Sequence, residues 1–172
     1  MNSDTPAVIP NLYAIVAVCD NWGIGRAGDM LVRNREDMRS FVAHTKGHTV
    51  LMGRKTLESF PDAKPLVERR NIVVSRQAGY APEGVEVVAS LDEALALAAN
   101  DDETWVIGGG QVYHALLPRC SKAVVTKNHC VREADTFFPN LDADPTWQVA
   151  EKTCGGTTKS GIDFEFVTYT RA

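Results

Sequence analysis

The chain has 172 residues, 44% hydrophobic and 23% charged, with a formal net charge of −4. That length is enough for one domain with a real hydrophobic core, and the composition is ordinary for a globular protein. The acidic balance argues against a nucleic-acid binder, whose usual footprint is a basic excess. No stretch has membrane-spanning length, and residues 1–10 lack the basic start and apolar run of a signal peptide. Cys19, Cys120, Cys130 and Cys154 contain no Cys-x-x-Cys pair, and His44, His48, His114 and His129 are scattered. No metal site is expected, and the thiols read as those of a reduced, cytoplasmic protein.

Residues 1–10 read as an N-terminal tail and residues 11–172 as one folded domain. Leu12 to Cys19 is almost unbroken in its apolar character, the pattern of a strand covered on both faces. A glycine-rich loop is expected over Asn21 to Arg33. Glu36 to Thr45 reads as an amphipathic helix with Met38, Phe41 and Val42 at helical spacing. Thr49 to Met52 reads as a strand that turns through Gly53 into a short helix ending near Phe60. Strands follow at Asn71 to Ser75 and Val85 to Val88. Ser90-Leu-Asp-Glu93 is a capping box opening a helix to Ala99. Thr104 to Ile107 and Lys122 to Asn128 read as strands flanking a helix from Gln111 to Leu117. Trp147 to Thr153 and Phe164 to Thr170 alternate around a Gly/Thr/Ser-rich connection, as a hairpin does. The expected fold is therefore α/β: a mostly parallel central sheet with an antiparallel C-terminal hairpin and helices on both faces.

Trp105-Val-Ile-Gly-Gly-Gly-Gln-Val-Tyr113 is the most informative stretch. A buried strand stops at three glycines and a helix begins at once. Three glycines exceed what a bare turn needs, and they let a ligand approach the backbone amides. The helix start adds unpaired N–H groups that favour a phosphate. Two other strand ends carry anion-friendly residues: Gly53-Arg54-Lys55-Thr56 suits a pyrophosphate, and Ser75-Arg76 suits one further phosphate. Strand ends on one side of an open sheet are where ligands bind, and an arginine for a ribose phosphate separates NADP from NAD. The triplet lies late in the chain and no early Gly-x-Gly-x-x-Gly exists, so a standard Rossmann dehydrogenase is not expected. Asp37 borders the apolar face of its helix beside Met38 and Phe41, where a carboxylate could clamp a planar, nitrogen-rich ring. Glu36 points about 100° away and should be exposed.

In order and spacing these residues resemble the dihydrofolate reductase family of bacterial type. The matches run from Leu12 to Arg171. They include Ile15-Val-Ala17, Gly23-Ile-Gly25, Gly28-Asp-Met30, Asp37 with Phe41 and Thr45, and Met52-Gly-Arg-Lys-Thr56. They continue with Arg69-Arg-Asn71, Ser75-Arg76, Ile107-Gly-Gly-Gly110 to Tyr113, Thr126 and Asp135-Thr-Phe-Phe-Pro139. The resemblance implies NADPH-dependent reduction of dihydrofolate by hydride transfer to C6 and protonation of N5. It implies a catalytic set of Asp37, which binds the pterin's 2-amino group and N3, Thr126, which bonds that carboxylate, and Tyr113.

Ile15 and Ile107 would offer carbonyls to the pterin, Met38, Phe41, Phe60 and Leu66 would wall it and its tail, and Val16 and Met30 would complete the substrate contacts. Arg69 would take the tail carboxylate. Arg54, Lys55, Thr56, Ser75 and Arg76 would hold the cofactor's phosphates. Ala17, Ile24, Gly25, Met30, Gly53, Ile107, Gly108, Gly109, Gly110, Gln111, Val112 and Tyr113 would complete its contacts, with a cis peptide at Gly108-Gly109. The expected partners are dihydrofolate and antifolates, bound to a cytoplasmic monomer. The chain departs from the family in having Leu31-Val32 for Pro-Trp, Arg35 for Pro and Glu68 for Gly. A pyrimidine reductase of riboflavin biosynthesis and a non-catalytic NADP-binding module are the alternatives; neither needs Asp37, Thr126 and Arg69 together.

Overall fold

The structure is a computed structural model and describes residues 6–172. In chain order the elements are β1 (Ile9–Cys19), β2 (Gly23–Arg26), β3 (Asp29–Met30), α1 (Arg35–Thr45), β4 (Thr49–Gly53), α2 (Arg54–Glu58), β5 (Arg70–Val74) and β6 (Glu86–Val88). They continue with α3 (Leu91–Leu97), β7 (Thr104–Gly108), α4 (Gly110–Leu116), β8 (Cys120–Asn128), β9 (Thr136–Phe137), β10 (Trp147–Thr157) and β11 (Asp163–Arg171). One eight-stranded sheet has the order β10-β11-β8-β1-β7-β4-β5-β6. Pairing is parallel from β8 through to β6, whereas β11 is antiparallel to both β8 and β10.

The apolar runs divide by alternation. Leu12, Ala14, Val16, Val18, Leu51, Ile72, Val106 and Val125 form one buried cluster with Ala94 of α3 and Leu116 of α4. Ile15, Val50, Met52, Val73, Trp105, Ile107 and Val124 form the other, with Leu57 of α2 and Phe41 of α1 packed on it. Successive strand residues point to opposite faces, so each run supplies both cores at once. Helices therefore cover both faces, as expected.

Three boundaries differ from the sequence reading. First, β1 begins at Ile9, inside the expected tail, because Ser121 Oγ donates to the Pro10 carbonyl at 2.7 Å and draws the chain on to β8. Residues 1–5 of that tail lie outside the described residues. Second, the expected loop over Asn21 to Arg33 contains the β2–β3 hairpin, which also pairs with β9. Its two-residue turn, Ala27 (φ 51°) and Gly28 (φ 82°), is left-handed at both positions, as a type I′ turn requires. Third, β10 and β11 outrun the expected hairpin, because Gly155 continues the strand beneath Phe164. A Cβ at Gly155 would meet that ring at 2.3 Å.

Candidate active site

The parallel strands β1, β7, β4 and β5 end on one edge of the sheet, where β4 leads into Arg54-Lys55-Thr56, β5 into Ser75-Arg76 and β7 into Gly109-Gly110. At the centre is Asp37, 8% exposed, in the first turn of α1. Its position is set by Asn34, the N-cap: Asn34 Oδ1 accepts from the Asp37 amide at 3.1 Å, and Asn34 Nδ2 donates to Asn128 Oδ1 at 2.9 Å. The start of α1 is thus tied to the end of β8. Thr126, also on β8, donates its hydroxyl to Asp37 Oδ1 at 2.7 Å. Burial raises the Asp37 carboxyl above the ordinary aspartate range, and the Thr126 hydrogen bond partly opposes this. Asp37 Oδ1 is held by protein, and Oδ2 accepts no hydrogen bond from the described residues. Glu36 is exposed and pairs with Arg39 at 3.0 Å, as its angle around the helix predicts.

Tyr113 crosses from α4 and donates its hydroxyl to the Ile15 carbonyl at 2.8 Å. Burial, with the negative charge of Asp37 second, pushes its phenol pKa upward, so it acts here as a neutral donor. Phe41, Phe60 and Leu66 fringe the α1–α2 core, while Met38 stays 49% exposed at the open side. Arg69 stands at the far end of α1. Its Nη1 donates to Thr45 Oγ1 at 3.0 Å, its Nε to the Val67 carbonyl at 2.9 Å, and its guanidinium lies 5.9 Å from the Phe41 ring. Among the described residues no carboxylate forms an ion pair with it.

The second half of the site is built from backbone. The N-caps of α2 and α4 are Gly53 and Gly109, and neither makes a side-chain cap bond. The Gly108–Gly109 peptide is cis and Gly108 has φ 126°. A Cβ on Gly108 would lie 3.4 Å from Thr56 Oγ1, and one on Gly110 would strike Thr136 Cγ2 at 2.6 Å. The triplet therefore brings α4 close to both α2 and the small β2–β3–β9 sheet. Arg54 pairs with Glu58 of its own helix at 2.8 Å. Lys55 and Arg76 are exposed, and Ser75 is buried with its Oγ accepting from the Gln77 amide at 3.1 Å. Uncapped amides, cations and glycines on one edge fit a phosphate-rich cofactor.

Ala17, Ile24, Met30, Leu31, Val32 and Asn128 line a small cavity between β1 and the β2–β3 hairpin. Gly25 pairs with Met30 across that hairpin. Val112 packs against the α3–α4 core, 3.4 Å from where a Cβ on Gly53 would sit, and Gln111 is exposed. Val16 does not join this group. Its side chain enters the α3–α4 core, because it alternates with Ile15. Trp22 cannot replace the family's tryptophan at Val32: it lies in that same opposite core, its ring 6.3 Å from Phe138. Sequence reasoning missed Asn34 and Asn128. The spacing Asn34-x-x-Asp37 is an N-cap signal, whereas nothing near Asn128 announces its partner.

The sequence pattern described as dihydrofolate reductase matches residues 11–171. The chain belongs to the dihydrofolate reductase family. A dihydrofolate reductase of Neisseria gonorrhoeae is 42% identical over 156 residues, spanning 90% of this chain and 95% of that relative. One of Mycobacterium tuberculosis is 42% identical over 156 residues, spanning 87% of this chain and 91% of the relative. A solved structure of dihydrofolate reductase from Enterococcus faecalis, complexed with NADP(H) and RAB-propyl, matches with TM-score 0.84 and 32% identity, covering 93% of this chain and 95% of that one. The family assignment disfavours both the pyrimidine reductase and the non-catalytic module.

Proposed function

We infer that this chain reduces 7,8-dihydrofolate to 5,6,7,8-tetrahydrofolate with NADPH. The observation that carries this reading is the buried Asp37 carboxylate, held at one oxygen by Thr126, without a partner at the other among the described residues, and near enough to Tyr113 of the glycine-led α4 to act on its phenol. A carboxylate so placed presents the acceptor geometry that an amino group and adjacent ring N–H of a pterin complement. Its raised pKa keeps a proton in the cleft to higher pH than an exposed aspartate would, which suits protonation at N5. NADPH supplies the hydride when bound. Arg54, Lys55, Thr56, Ser75 and Arg76 would hold its phosphates, and the open amides at the starts of α2 and α4 would add donors. Ile15, whose carbonyl is already fixed by Tyr113, and Ile107 would orient the ring; Met38, Phe41, Phe60 and Leu66 would exclude water from its faces. Arg69, bonded to Thr45 and Val67 but to no carboxylate among the described residues, has a charge suited to the substrate's tail carboxylate.

We also read the chain as a cytoplasmic monomer that binds antifolates in the same cleft; a light-scattering mass and an inhibitor titration test those two points. The reaction is tested by following NADPH absorbance. Decay that requires dihydrofolate supports the reading, and equal decay without dihydrofolate overturns it.

A further inference from the structure

Two thiols lie against one another beside the small cavity between β1 and the β2–β3 hairpin, which Cys19 helps to line. Cys19 Sγ and Cys130 Sγ are 3.7 Å apart although 111 residues separate them in sequence. Their backbones are fixed: Cys19 pairs with Asn128 at the end of the β1–β8 ladder, and the Asp20 amide donates to the Cys130 carbonyl at 2.9 Å. A disulfide needs sulfurs about 2.0 Å apart, so roughly 1.7 Å of approach is required, and rotation about χ1 is what moves a cysteine sulfur.

The same two chain segments are laced together beyond the cysteines. Asn21 Nδ2 donates to the Arg132 carbonyl at 3.3 Å, the Ala27 amide to Asp135 Oδ2 at 2.8 Å, and the Phe138 amide to the Trp22 carbonyl at 2.8 Å. Arg26 pairs with Glu133, and β2 pairs with β9. Every one of these contacts is exchangeable; Cys19 and Cys130 sit at their root. We propose that Cys19 and Cys130 form a reversible disulfide by exchange with a small-molecule disulfide, and that this bond clamps the base of the β2–β3 hairpin to the segment carrying β9.

Cys130 is half-buried and Cys19 buried, so Cys130 reacts first. Its thiolate attacks the small disulfide, forming a mixed disulfide and releasing one thiolate. The Cys19 thiolate then attacks the Cys130 sulfur and expels the second. Two protein thiols are oxidised, one small disulfide is reduced to two thiols, and the two protons pass to the leaving groups. Burial first, then the contact with Cys130, push the Cys19 thiol up to about 12, so the second step speeds as pH rises toward that value. Cys120 is fully buried, and Cys154, exposed on β10, is the one accessible competitor among the described cysteines and is removed in the test.

The test uses the full chain carrying Cys154→Ser, incubated with oxidised glutathione at mildly alkaline pH and digested without reductant. The expected product is a linked Cys19–Cys130 peptide, two hydrogens lighter than its parts and reversed by a dithiol. Amide exchange over residues 21–27 should slow by roughly tenfold in the oxidised protein. Cys130→Ser should abolish both effects while leaving turnover under reducing conditions unchanged. A glutathione adduct persisting on Cys130 with no linked peptide would overturn the proposal, as would a linked peptide with unaltered exchange. Neither readout depends on the reductase reading.

Discussion

Of the four α-helices among the described residues, two begin with a side chain folded over their first amides and two begin with a bare glycine. Asn34 caps α1 and Ser90 caps α3, each accepting an amide at 3.1 Å. Gly53 and Gly109 leave α2 and α4 uncapped. The open starts both lie on the edge that carries Arg54, Ser75 and the glycine triplet. The capped start of α1 instead carries the acid that must not move. Where chemistry needs a fixed group the chain closes its own hydrogen bonds; where a phosphate is to bind it leaves donors free.

The largest expected effect is at the fixed acid. Asp37→Asn should lower dihydrofolate turnover by about a hundredfold or more at neutral pH, the scale of losing an acid–base group. The same change should stabilise the fold. A carboxyl whose folded pKa is raised contributes stability fully below its unfolded value and loses it as pH rises through the folded one. Removing the charge should therefore gain on the order of 1 kcal/mol at neutral pH in urea unfolding and nothing in acid. A variant that lost activity and stability together would mean Asp37 is structural.

The next effect belongs to the open edge. NADPH should be preferred to NADH, and Arg76→Ala should reduce that preference by roughly tenfold or more, as loss of a charge-assisted hydrogen bond would. The ratio of kcat/KM for the two cofactors measures it; an unchanged ratio removes Arg76 from the phosphate site. Exchanging caps tests the comparison itself. Gly53 has φ −82° and ψ 162°, which serine accepts, and its Cβ would meet Val112 in ordinary contact. Gly53→Ser should raise the KM for NADPH about tenfold by occupying the amides, while changing stability by only a few tenths of a kcal/mol. Ser90→Ala should do the reverse, costing about 1 kcal/mol of stability with KM unchanged. Equal effects of the two on KM would erase the distinction.

Much of this was legible in the sequence, for physical reasons specific to each element. Ser90 and Glu93 marked a helix start because side-chain capping is local, although Glu93 reaches the Ala89 amide rather than that of Ser90. The mostly parallel pairing of the strands around the glycine triplet followed from apolar runs alternating with amphipathic helices, whereas their order in the sheet did not. Unbroken apolar runs hide which side chain faces which layer, so Val16 was put beside the pterin. The β2–β3 hairpin was missed because its turn is Ala27-Gly28, without the Asn or Asp that usually announces a left-handed first position. Asn128 lies 94 residues from Asn34, and no local pattern links them.

The smallest effect concerns Glu68, which stands where the family commonly has glycine and takes φ 59°. Glu68→Gly should relieve that conformation and lose an exposed ion pair with Lys46, for a net gain below about 1 kcal/mol. The KM for dihydrofolate should not change, because neighbouring Arg69 keeps its bonds to Thr45 and Val67; chemical denaturation and steady-state kinetics read both.

The rate of hydride transfer in a single turnover, followed against pH in the parent and in Asp37→Asn, tests the role of the buried acid most directly. The parent rate should fall as pH rises through a step lying above the ordinary aspartate range, and the variant should be slow and lack that step. Superimposable profiles would contradict the account.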